Sequence, residues 1–200
     1  MKLSILSLAA AAVSVFALPA IAHPVDYIGT LSNIGEASPA GGPSLGTGAV
    51  TVTLNEDTFE MRVQVTYSGL TGTTTAAHIH CCTSLAGTGT AGVASITPSF
   101  TDFTLGGTSG SYNKLFDMSL ATGSWNPAYI TANGGTPGAA FSALLAGVAS
   151  GKAYLNIHTS AVGSGEIRAF LAPVPEPQTY ALMLAGMAAV AWAARRRTQA

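Results

Sequence analysis

The sequence predicts an all-β fold, an antiparallel β-sandwich or barrel, with one short helix near 137–149 and a separate hydrophobic helix at the C-terminus. Three observations carry this. Short segments alternate apolar and polar residues with a period of two. Turn-forming clusters separate them, as in Ser38-Pro39-Ala40-Gly41-Gly42-Pro43 and Ala132-Asn133-Gly134-Gly135-Thr136-Pro137-Gly138. One internal stretch breaks the alternation with helical spacing.

Taken in order, a first strand is expected near Val25 to Leu31. Val50, Val52 and Leu54 alternate with Thr51 and Thr53, and Phe59, Met61, Val63, Val65 and Tyr67 alternate with Glu60, Arg62, Gln64 and Thr66. Asn55-Glu56-Asp57 supplies the hairpin turn between these two strands. Further strands read from Tyr112 to Leu120, Lys152 to His158 and Glu166 to Leu171. Between Pro137 and Ser150, Phe141, Leu144, Leu145 and Val148 recur at helical spacing.

The two ends read as addresses. Lys2 precedes an apolar run from Leu3 to Leu18, followed by the small-x-small triplet Ala20-Ile21-Ala22. This is the pattern of a secretory signal peptide over 1–22, a substrate of the Sec machinery, and it makes His23 the first mature residue. At the other end, Pro175-Glu176-Pro177 leads into 15 apolar residues from Tyr180 to Ala194, and then into Arg195, Arg196 and Arg197. As a helix that run covers ~22 Å, short of a ~30 Å hydrocarbon core. The arginines after it stay cytoplasmic by the positive-inside rule, so the helix halts an exported chain with its body outside.

Between the ends lies one domain of about 150 residues, 23–172, enough for a real core. It carries eight acidic residues and four basic ones, a net charge of −4. No basic stripe exists, and nucleic acid is not an expected partner. No nucleophile elbow, phosphate loop or paired-carboxylate spacing stands out, and an enzyme is not expected.

Whatever chemistry the domain holds centres on Ala76-Ala77-His78-Ile79-His80-Cys81-Cys82-Thr83. On a strand, His78, His80 and Cys82 share one face, and Ala77, Ile79 and Cys81 the other. In Tyr154-Leu155-Asn156-Ile157-His158, Leu155 and Ile157 suit the core, which sends Asn156 and His158 to the opposite side. By the same parity Glu166 and Arg168 oppose Ile167, Ala169 and Leu171. Two readings stand open. His78, His80 and His158, with Cys82, form a donor set for copper or zinc. Alternatively the imidazoles join Asn156 and a Glu166–Arg168 pair in a structural polar network. Cys81 and Cys82 have no third cysteine to pair with, and in an exported chain a bond between these neighbours is the first expectation. A free amine at His23 would add a second copper-chelating group.

The body resembles the CHRD (chordin-like) domain family. The residues that carry the resemblance are Ala77-His78-Ile79-His80, Leu144-Leu145 with Gly147, Tyr154 to Thr159, and Gly165-Glu166-Ile167-Arg168. The resemblance implies a β-sandwich outside the cytoplasm. Cys81-Cys82 departs from the glycine that many such domains place after the histidine pair, and Gly163-Ser164-Gly165-Glu166 departs from a tighter Gly-Gly-Glu turn.

Residues 173–200 resemble the PEP-CTERM sorting signal, on its Pro-Glu-Pro triplet, short apolar helix and terminal arginines. That resemblance implies a Gram-negative bacterium that makes exopolysaccharide, transient membrane insertion of the helix, and cleavage by an exosortase near Pro175, Glu176 and Pro177. A permanent anchor is the competing reading. Together they imply a secreted or cell-surface protein of the envelope or matrix, with exopolysaccharide or surface proteins as its partners.

Overall fold

The computed structural model describes residues 24–33, 44–174 and 177–197. The signal-peptide segment, His23, Pro175 and Glu176 lie outside the described residues. In chain order the strands are β1 (Val25–Ser32), β2 (Thr47–Asn55), β3 (Glu60–Ser68), β4 (Thr74–His80) and β5 (Gly110–Asp117). Helices α1 (Pro127–Ala132) and α2 (Pro137–Ala149) follow, then β6 (Tyr154–Thr159), β7 (Ile167–Phe170) and β8 (Ala172–Pro173), and finally α3 (Pro177–Arg197).

The strands form one antiparallel sheet in the order β4-β6-β7-β1-β2-β3-β5, with β8 also on β1. It is a half-barrel. The all-β expectation holds, in its barrel form and left open, because β4 and β5 end the sheet without pairing to each other.

Period-two patterning builds the β1-β2-β3 meander. Val50, Val52 and Leu54 on β2 and Met61, Val63 and Val65 on β3 are buried, and their neighbours face outward. The turn between them forms where Asn55 Oδ1 accepts the amides of Asp57 and Thr58 at 3.0 and 3.3 Å.

The helices pack into the same core as the concave sheet face, through Tyr129 and Ile130 of α1 and Phe141, Leu144 and Val148 of α2. Each helix starts on a capping side chain followed by proline. Asn126 accepts from the Ala128 amide and Thr136 from the Ala139 amide. At Gly147 a β-carbon would overlap both sulfurs of a disulfide between Cys81 and Cys82, so α2 reaches the end of β4 only because that side chain is missing.

Strand β4 is a sheet edge whose outer backbone groups are paired by the segment after it. The Ala77 amide donates to Ser99 Oγ at 3.0 Å and the Ile79 amide to Ser95 Oγ at 2.9 Å. The amides of Phe100 and Ala94 donate to the carbonyls of Ala77 and Ile79, both at 2.9 Å. Segment 81–100 is thereby laced to the edge strand, which removes a template for edge-to-edge association.

Helix α3 matches the expected C-terminal apolar helix. Leu182, Met183, Leu184, Met187, Val190 and Trp192 on it are exposed. Among the described residues no helix is long and apolar enough to cross a membrane.

Candidate functional site

Strands β4, β6 and β7 differ from the rest of the sheet in being buried on both faces. Their odd-numbered side chains, Ala77, Ile79, Leu155, Ile157, Ile167 and Ala169, enter the apolar core. Their even-numbered ones meet on the opposite face. Register places His78 across from Asn156, His80 across from Tyr154, and Asn156 across from Arg168. His158 sits diagonally from His78, opposite Ala76.

The three imidazoles are neighbours. Ring centroids lie 4.9 Å apart for His78 and His158, 5.7 Å for His78 and His80, and 5.9 Å for His80 and His158. One nitrogen of each ring lies within 4.8 Å of the others. His78 and His80 are 7 % and 9 % exposed, and His158 is half-buried.

Each ring also touches a backbone carbonyl. His78 Nε2 lies 2.5 Å from the Pro98 oxygen, His80 Nδ1 2.9 Å from that of Ala91, and His158 Nδ1 2.9 Å from that of Gly163. A carbonyl only accepts, so each of these nitrogens carries the hydrogen, and the other nitrogen of a neutral ring is a bare acceptor. Those acceptors are His78 Nδ1, His80 Nε2 and His158 Nε2. Two of them, on His78 and His158, face each other at 3.1 Å. The third, on His80, is buried and has no hydrogen-bond partner among the described residues.

Burial first of all pushes the His78 pKa down to about 4; the charges His158 and His80 can carry add to the effect, and the Pro98 carbonyl opposes it. The His80 pKa is lowered chiefly by burial as well. Both rings are therefore neutral at neutral pH, the form in which imidazole binds a metal.

Around the rings, Tyr154 and Arg168 hold the covering segment. The Tyr154 ring stacks on His80 at 4.8 Å with an interplanar angle of 3°, and its hydroxyl accepts the Ala91 amide at 3.2 Å. The Arg168 guanidinium lies 4.9 Å from the Tyr154 ring centre and donates to the Gly89 carbonyl at 2.9 Å. Asn156 donates to the Ser164 carbonyl at 3.3 Å, beside Gly165, whose φ of +123° and close approach to the amide leave no room for a β-carbon.

Two predicted members are elsewhere. Cys82 is no ligand. It is bonded to Cys81, and its sulfur lies 3.9 Å from the Tyr129 hydroxyl and the Ala143 carbonyl, beside the helices. Strand β4 ends at His80, and parity does not carry past it.

Nor does Glu166 pair with Arg168. It precedes β7, and its carboxylate instead accepts from Ser44 Oγ and the Thr71 amide, both at 2.5 Å, from the Gly72 amide at 3.0 Å and from Thr159 Oγ1 at 2.7 Å. Burial raises the Glu166 pKa, but these hydrogen bonds outweigh it and hold the group below the ordinary carboxylate range.

Sequence reasoning placed the three rings and missed what orients them. The orienting groups are backbone carbonyls in a segment rich in Gly, Ser and Thr, and a carbonyl has no signature in a sequence. Tyr154 was the one legible signal, an even-numbered aromatic on β6 next to the histidine face. Of the sorting residues, Pro177 opens α3 and Arg195, Arg196 and Arg197 close it.

Comparison with known families matches the CHRD domain over residues 29–171 and the PEP-CTERM protein-sorting motif over 173–197. No curated protein and no solved structure matches the chain. The sorting motif implies exosortase processing and an extracytoplasmic or cell-surface destination.

Proposed function

The chain belongs to the CHRD domain family and ends in a PEP-CTERM motif, and from that premise we propose that it is a non-enzymatic structural or binding component of a Gram-negative envelope or exopolysaccharide matrix. The Sec machinery exports it, α3 halts it in the inner membrane for a time, and an exosortase cuts near Pro175, Glu176 and Pro177. Exopolysaccharide or other surface proteins are its partners.

One observation carries the reading. Among the described residues, the last of the folded core is Leu171, the last in strand register is Pro173 on β8, opposite Tyr27, and the Val174 amide still donates to the Asp26 carbonyl. Every strand therefore lies ahead of the Pro-Glu-Pro triplet. A cut there frees the domain with its sheet whole, as a sorting signal requires and a permanent anchor does not.

The test is intact-mass analysis of the protein from the matrix fraction, with and without an active exosortase. Loss of everything beyond the triplet, and retention of the full tail in membranes when the exosortase is inactive, is the expected result. Arg195 to Arg197 still present on matrix material would overturn the sorting step.

A further inference from the structure

We propose that His78, His80 and His158 form a mononuclear centre for a first-row metal ion from the copper–zinc end of the series, bound through His78 Nδ1, His80 Nε2 and His158 Nε2. It goes beyond the sorting reading and does not depend on it.

Three features of the face support this centre. The rings are pre-aimed: each gives one nitrogen to a carbonyl, on Pro98, Ala91 and Gly163, from outside the cluster. Metal-binding histidines are oriented this way, with the far nitrogen donating to a carbonyl so that the near one keeps its lone pair. The inner nitrogens of His78 and His158 meet only each other, and that of His80 has no partner among the described residues.

Second, the inner nitrogens of His78 and His158 stand 3.1 Å apart. With both rings neutral and their outer nitrogens bearing the hydrogens, two lone pairs meet there, and a positive centre, a metal ion or a proton, relieves the contact. Around a four-coordinate ion bonded at ~2.0–2.1 Å, ligand nitrogens sit roughly 3.3 Å from each other. This pair is already at that spacing. His80 has to close from within 4.8 Å by up to about 1.5 Å, pivoting on its bond to Ala91.

Third, His80 Nε2 is buried and has no hydrogen-bond partner among the described residues. An orphaned buried acceptor costs ~1–3 kcal/mol, a penalty that an ion at this place removes.

The donor set also states which ions. Among the described residues the set is three imidazoles without a carboxylate, and both thiols are tied up in the Cys81–Cys82 bond; such a set suits copper and zinc and disfavours calcium, magnesium and manganese. Three protein ligands leave a fourth position on the ion, and the half-buried ring of His158 marks the side nearest solvent.

Zn(II) and Cu(II) chlorides are the probes, used on the full chain in detergent and in a His23→Ala background that removes any amino-terminal chelate. One ion per chain retained through gel filtration, released by chelator, and a Cu(II) spectrum split by three nitrogens, are the expected results. His158→Ala is the informative variant, because that ring has the least packing to lose. It should weaken Zn(II) binding by about a hundredfold or more, beyond what loss of an outer-shell partner does. Gln64→Ala, at an exposed position on β3 away from the rings, should bind as tightly as the parent. Folded parent protein that retains no metal above background, or undiminished binding by His158→Ala, overturns the proposal.

Discussion

His78 Nδ1 and His158 Nε2 face each other at 3.1 Å from strands paired at the sheet's edge, 80 residues apart in the chain. Pro98 holds the first ring from behind and Gly163 holds the second. The two rings are thus fixed by parts of the chain that carry no chemistry of their own. Rings that face inward and backbone that aims them are separate contributions, and each can be removed without the other.

His78 should matter to stability even without metal. His78→Ala removes a buried ring together with its hydrogen bond to the Pro98 carbonyl, and loss of a bond of this kind costs ~0.5–1.5 kcal/mol. For a domain of this size the melting temperature of metal-free protein should fall by roughly 2–4 °C per kcal/mol. An unchanged melting temperature would deny the ring its place under segment 81–100.

Glu166 should act as a pH-dependent clasp between β7 and the turn at Thr71 and Gly72. Its folded pKa lies below the unfolded value, so its stabilisation is present above the ordinary glutamate range and is lost as pH falls through the folded pKa. Glu166→Gln should lower the melting temperature at pH 7 by several degrees, as loss of ~1–3 kcal/mol of charge-assisted bonding does. The gap to the parent should shrink steadily in acid. A gap that stays constant from pH 7 to acid would contradict the assignment of an ionised, multiply bonded carboxylate.

Gly147 and the disulfide should be coupled. Gly147→Ala puts a methyl where the two sulfurs lie, and overpacking of this kind costs ~1–3 kcal/mol. In a Cys81→Ala, Cys82→Ala background the same change should cost less, because the obstructing atoms are gone. Additive losses across the cycle would show that helix α2 does not press on the sulfurs.

Tyr154→Phe should loosen the covering segment without unfolding the sheet. The Ala91 amide loses its acceptor, and its hydrogen exchange should quicken along with that of neighbouring residues. Exchange in β2 and β3 should be unaffected. A uniform rise across the whole domain would instead mark Tyr154 as an ordinary core residue.

Much of this architecture was legible in the sequence for one reason: a period of two assigns every side chain to a face once a single core residue is known. Ile79, Leu155 and Ile167 fixed the inward face, and the even-numbered His78, His80, Asn156, His158 and Arg168 followed. Parity failed where strands stopped. Cys82 lies two residues beyond the end of β4, and Glu166 one residue before β7, after a glycine with φ of +123°. Helix α1 was missed because six residues offer too little periodicity to detect, although Asn126 and Pro127 mark its start. The covering segment, without alternation, gave no hint that its carbonyls would aim the rings.

The most direct test is long-range ¹H–¹⁵N correlation spectroscopy of the imidazoles in zinc-titrated protein. It is expected to place hydrogens on His78 Nε2, His80 Nδ1 and His158 Nδ1, with the metal-dependent shift confined to the three opposite nitrogens. Hydrogens on the opposite nitrogens, or ring signals indifferent to zinc, would contradict the account.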